Sequence, residues 1–277
     1  ATAAVVSTSW ATGLQKQQLV AMKENPCGNG IPMCWRVRAP QGRPVLAVVG
    51  DSTAMALDPG FVDLAHRRGW GYVLAAKEGC AISGLPFMLH YPQPPLPGQA
   101  DCAKDPDGRL HRMLDTYHPS IVFALSHQDR LDYVAPDGTM VSRRAPQWPD
   151  GVHAALRHFA EQVTQTGAVL VTPGLLPDTT SAKACLEPHP DPKACAGFPA
   201  TANPTDAILN SVYGQVAGEV PGVRLVAMQE RICPNGTCPM VIDGLVVRYD
   251  GVHFTPQGAR WFVSRMEPQL VDAALPR

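Results

Sequence analysis

The apolar positions of this chain switch between two spacings. Five short, β-branched runs are apolar almost without interruption: VLAVVG at 45–50, YVLAA at 72–76, IVFALS at 121–126, AVLVTP at 168–173 and VRLVAM at 223–228. Unbroken rather than alternating apolar runs predict strands buried on both faces. Between and after them the spacing becomes helical. In 151–167, Val152, Ala155, Leu156, Phe159 and Val163 share one face and the stretch ends in glycine, while 204–218 and 256–275 each open with proline, which fits the first helical turn. Buried strands alternating with such helices predict an α/β fold, a central parallel five-stranded sheet covered on both faces. The first 40 residues lack this rhythm. Residues 1–40 therefore read as an extension or linker packing on the domain, and 41–277 as the domain.

A parallel sheet binds ligands beyond the carboxyl ends of its strands, and the unusual sequence sits at those ends. Segments 87–102 and 126–151 follow the second and third strands and are long and rich in proline. They read as walls of a site rather than as connectors. Within them His90, Tyr91, Tyr133 and Trp148 are candidates for substrate binding by stacking on a sugar. A third excursion, 174–203, carries two cysteines of its own.

Composition narrows the setting. With 277 residues and 45% apolar content, the chain has enough apolar surface for a sizeable core. The net charge is −1, and Lys and Arg are scattered, which excludes the concentrated basic face that nucleic acid requires. No apolar run is long enough to span a bilayer, and the opening ATAAVVSTSW lacks the basic start of a signal peptide. Eight cysteines fall into sequence neighbours at 27 and 34, 80 and 102, 185 and 195, and 233 and 238. Eight cysteines allow 105 pairings, of which this local set is the preferred one. CPNGTC (233–238) has no second ligand pair near it, and the nine histidines are dispersed, so disulfides are favoured over a metal site. Disulfides in turn imply an oxidising, extracytoplasmic compartment. The expectation is a cleaved signal peptide or an upstream membrane part.

Candidate chemistry appears where the first strand ends. VVGDSTAMALD (48–58) passes from strand formers through Gly50-Asp51-Ser52 into helix formers. One reading is a turn in which Gly50 supplies backbone freedom and Asp51 or Ser52 caps a helix. The other makes Ser52 a nucleophile at a strand end, beside free N–H groups that stabilise negative charge. A nucleophilic serine needs a base and an anion that orients the base. RYDGVHFTPQGARW (248–261) offers Asp250 and His253 in one turn before the last helix.

Taken together, Gly50-Asp51-Ser52 and Asp250-Gly-Val-His253 resemble the first and last sequence blocks of the SGNH, or GDSL, hydrolase superfamily. That resemblance implies a flavodoxin-like three-layer α/β/α sandwich with Ser52, His253 and Asp250 as a catalytic triad. It implies an oxyanion hole from the Ser52 N–H and Gly79, the glycine after the second strand. The third block, normally Gly-x-Asn-Asp, is here Ser126-His127-Gln128-Asp129, so Gln128 is the candidate for the usual Asn donor. CPNGTC, VIDGLVVRYD and DGVHFTPQGA are most similar to SGNH domains fused to membrane acyltransferases of the acyltransferase-3 family. An integral-membrane acyltransferase domain upstream is the partner so implied.

The leading expectation is an exported O-acyltransferase that passes an acyl group from a donor through Ser52 to a carbohydrate or cell-envelope hydroxyl, without a cofactor. A secreted esterase using water is the first alternative. A degenerate domain that only binds glycan is the second.

Overall fold

The computed structural model describes residues 27–28, 33–88, 102, 104–178, 181–186, 198–199, 204–238, 241–242 and 245–275. The main sheet contains β1 (Cys34–Val37), β2 (Val45–Gly50), β3 (Gly71–Ala76), β4 (Ile121–Leu125), β5 (Val169–Thr172) and β6 (Val223–Leu225) in the order β1-β3-β2-β4-β5-β6. Each of the five apolar runs is a strand, and these five are mutually parallel. Counting only the parallel strands, their order is 2-1-3-4-5, the flavodoxin-like arrangement. The topological switch point therefore falls between β2 and β4.

The sixth strand, β1, comes from the stretch without rhythm and pairs antiparallel with β3, Cys34 opposite Leu74. Its four residues are all half-buried, as suits an edge. A Cys27–Cys34 disulfide ties down the chain before it.

The strands alternate between two cores because successive side chains point to opposite faces. Leu46 and Val48 join one core with Phe61 and Leu64 of α1 (Asp58–Arg68) and Phe262, Val263 and Met266 of α5 (Pro256–Ala273). Ala47 and Val49 join the other with α2 (Pro106–Tyr117), α3 (Trp148–Gln165) and α4 (Pro204–Glu219). The result is a three-layer α/β/α sandwich. Thr255 caps α5, accepting from Gly258 N at 2.9 Å while its own hydroxyl donates to Val246 O at 2.6 Å. A Cβ on Gly258 would stand 2.0 Å from Val247 O, so a glycine is needed where the helix start presses on the chain before it.

Segment 126–151 differs from the site wall expected of it, while residues 89–101 of the other excursion lie outside the described residues. Segment 126–151 contributes to a small antiparallel sheet, Asp132–Val134 between Phe87–Met88 and Met140–Val141. Trp148 is fully buried with Nε1 donating to Leu131 O at 2.8 Å. Tyr133 is also buried, edge-on to Phe87. Both rings are enclosed by the core on the α3 side, so neither has a face left to stack on a sugar. His90 and Tyr91 lie outside the described residues. Among the described residues, no helix is long and apolar enough to cross a membrane.

Candidate active site

Gly50 ends β2 with φ of +135°, and a Cβ there would lie 1.8 Å from Leu125 O. Only glycine lets the ends of β2 and β4 approach this closely. That approach delivers Asp51 to the loop after β4. The carboxylate is fully buried and accepts from Thr53 N (2.8 Å) and Thr53 Oγ1 (2.6 Å) on one oxygen. On the other it accepts from His127 N (2.7 Å), Gln128 N (3.1 Å) and Ser126 Oγ (3.2 Å). Asp51 is therefore the helix cap and the clamp between two loops, which leaves the Ser52 hydroxyl to other work. The helix it caps, Ser52–Met55, is one turn long before the chain re-enters a helix at Asp58. Local N–H groups, rather than a long helix dipole, stand beside Ser52.

The loop between Val247 and Thr255 is pinned at its base by Thr255 N to Val247 O and Tyr249 N to His253 O, each 3.0 Å. Within it Asp250 Oδ1 accepts from the N–H groups of Val252 (3.0 Å) and His253 (2.8 Å), and Oδ2 meets His253 Nδ1 at 2.7 Å. His253 Nε2 reaches Ser52 Oγ at 2.9 Å across 201 residues of sequence. Partial burial pulls the Asp250 pKa up, but the hydrogen bond and charge of His253 and the two N–H donors outweigh it and hold it at about 2. Burial pulls His253 down. Its bond to Asp250 and the negative charges of Asp250, Asp51 and Glu78 prevail and raise it above the ordinary histidine value. A serine hydroxyl, an imidazole and a carboxylate in this order form a path for taking a proton off Ser52 and stabilising the imidazolium that results.

The flanking loops carry Gly79 and Gln128, the residues expected as oxyanion donors. Gly79, with φ of +73°, sits in a turn closed by Cys80 N to Lys77 O, and Lys77 N holds Gly50 O at 2.9 Å. Gln128 is buried and its N–H is committed to Asp51 and Ser126 Oγ, so an anion contact from Gln128 would come from the side-chain amide. Asp129, fully buried, accepts from the N–H groups of Ile82 and Ser83 and so ties the second loop to the third. Burial raises its pKa to about 6 against the hydrogen bonds from Ser83, Ile82 and Ser126.

Two features have no counterpart in the sequence reading. Arg248 is buried, donates to Gly251 O at 3.2 Å and to Pro177 O, and lies over the Phe254 ring. Burial lowers its pKa to about 10 despite the charges of Asp178 and Asp250. It braces the Asp250–His253 loop from beneath, and its signal was a charge closing the apolar run LVVR. His127 and Arg130 meet Asp178 at 2.7 Å and 2.5 Å, linking the loop after β4 to the segment after β5. Among the described residues, no three His, Cys, Asp or Glu side chains gather as metal ligands.

The bridges Cys27–Cys34, Cys80–Cys102 and Cys233–Cys238 are formed. Cys185 is also disulfide-bonded, while Cys195, its expected partner, lies outside the described residues.

Residues 21–268 match the family model described as the SGNH domain fused to AT3 domains. The chain belongs to this SGNH family. None of the curated proteins matches it. Among solved structures, the SGNH chain is similar to the periplasmic domain of the lipopolysaccharide acetyltransferase of Salmonella ser. Paratyphi A, at 12% identity and a TM-score of 0.56, covering 84% of this chain and 85% of that one. It is also similar to a protein named for the SGNH hydrolases from Slackia heliotrinireducens, at 16% identity and a TM-score of 0.50, covering 83% of this chain and all of the other. At such identities the likeness shows the SGNH fold alone.

Proposed function

We propose that this SGNH chain is an exported O-acyltransferase domain that moves a small acyl group through an acyl-enzyme on Ser52 to a carbohydrate or cell-envelope hydroxyl. The observation that carries the reading is the hydrogen-bonded series Ser52–His253–Asp250 at 2.9 Å and 2.7 Å, in a chain of the AT3-fused family. In the first half-reaction His253 Nε2 takes the Ser52 proton as Oγ attacks the acyl carbonyl of the donor. The tetrahedral oxyanion is held by the Ser52 N–H, with the Gly79 N–H and the Gln128 amide as further donors. The intermediate collapses as His253 returns the proton to the departing alcohol. In the second half an acceptor hydroxyl gives its proton to His253 and attacks the acyl-enzyme, and Ser52 leaves with that proton. Asp250 keeps the imidazole in the productive tautomer throughout.

An upstream AT3 membrane domain is the proposed partner, and the disulfides support an oxidising, extracytoplasmic setting. Incubation with a chromogenic short-chain acyl ester, with and without glycans, tests the reading by mass spectrometry. Acyl-enzyme on Ser52 and acylated glycan are expected, and Ser52→Ala abolishes both. Turnover without any acylated glycan would make the protein an esterase, and label on another residue would remove the mechanism.

A further inference from the structure

On the α2–α3 side of the sheet, a small cleft of about 50 Å³, open to solvent, runs beneath the loop after β3. Most of its lining side chains are apolar, among them Met33, Val49, Ile82, Leu110 and Met113, although polar atoms make up half of its exposed lining, and Arg109 is its one charged lining residue among those described. Gly50 also lines it, so it reaches the end of β2, two residues before Ser52.

Among the described residues the Arg109 side chain is poorly served. It is half-buried, and its guanidinium hydrogen bond there runs from Nη1 to Sγ of the disulfide-bonded Cys80 at 3.1 Å. A sulfur of this kind is a weak acceptor. The carboxylate that acts on it, Asp105, is already bound by Arg112 Nη1 at 3.0 Å and by Gly108 N at 3.0 Å. Burial, and then the like charge of Arg112, lower the Arg109 pKa. A cation held in this way against apolar walls costs the fold stability, and a hydrophobic residue of similar volume would serve packing better. Its guanidinium fork instead matches the two oxygens of a carboxylate, while the walls match an aliphatic stem.

We propose that this cleft is a binding subsite for a short aliphatic carboxylate, or for the part of a substrate with that chemistry, with Arg109 as its anchor. The subsite goes beyond the proposed acyl transfer and does not depend on Ser52 chemistry.

The test is methyl NMR of methionine-labelled protein titrated with sodium butyrate and, separately, with butan-1-ol. Butyrate is expected to shift the Met33 and Met113 methyls and to spare Met266, which is buried on the other face. The neutral alcohol, lacking the charge-assisted bonds, should bind about tenfold more weakly. Arg109→Met should melt at or above the wild-type temperature and lose butyrate affinity about tenfold, whereas Arg109→Lys, keeping the charge without the fork, should lose less. Equal binding of acid and alcohol, or silent Met33 and Met113 methyls at tens of millimolar butyrate, would overturn the proposal. So would an Arg109→Met protein that melts lower yet binds butyrate as before, since Arg109 would then be a brace on the disulfide loop.

Discussion

Replacing Gly50 by alanine tests whether the approach of β2 to β4 builds the site. The new Cβ would stand 1.8 Å from Leu125 O, where real contacts do not fall below 3.0 Å. The strand ends would have to part by about 1.2 Å, the difference between those two distances. An alanine at φ of +135° adds backbone strain of about 1–3 kcal/mol, and overpacking adds about 1–3 kcal/mol. At about 2–4 °C per kcal/mol for a chain approaching this size, the melting temperature should fall by roughly 5–20 °C. The same displacement pulls Asp51 from the N–H groups of His127 and Gln128, now at 2.7 Å and 3.1 Å, so labelling of Ser52 by a serine-directed phosphonate should slow in step. Gly138 is the control. Its φ is +84° with nothing within 4 Å of a Cβ, so Gly138→Ala carries only the left-handed cost of about 1–2 kcal/mol and leaves labelling unchanged. A Gly50→Ala protein that melts with the wild type and labels at its rate would refute the reasoning.

Ester turnover should require neutral His253, and its pKa is raised, so kcat/KM should fall as pH drops, with an inflection above about 6.5. Asp250→Asn removes the largest of the influences that raise it, leaving Asp51 and Glu78 while burial remains, so the acid limb should move to lower pH and the rate should drop on the order of 10⁴; an unmoved inflection would mean another group orients His253. Because the folded Asp250 pKa is depressed to about 2, its stabilising share is present above about pH 4 and lost as pH falls toward 2, which acid unfolding of wild type against Asp250→Asn would show. Trp148→Ala should cost about 3–5 kcal/mol as a core deletion and depress hydrolysis and glycan transfer together; a selective loss of transfer in a protein with wild-type melting would return Trp148 to the acceptor site.

The sequence by itself determined the parallel strands, three of their flanking helices, the Ser52 turn and the pairing of Asp250 with His253. Each of these is written in spacings of a few residues, where apolar period or turn chemistry decides the local conformation. Tertiary structure decided the rest, because it depends on which distant segments meet. That Asp51, which caps the helix through Thr53 N, also clamps the loop after β4 could not be read from the sequence. Whether Tyr133 and Trp148 faced solvent or core turned on how 126–151 folded over the α3 side, since an aromatic in a proline-rich segment serves either end. The edge strand β1 has no apolar signature because half-buried edges need none, and it exists through its pairing with β3. Arg109 looks like any other arginine in the sequence, and Arg248 is marked only as a charge closing an apolar run. Their surroundings, a carbonyl pair over a phenyl ring for one and an apolar cleft for the other, arise only when strands and loops far apart in the chain close around them.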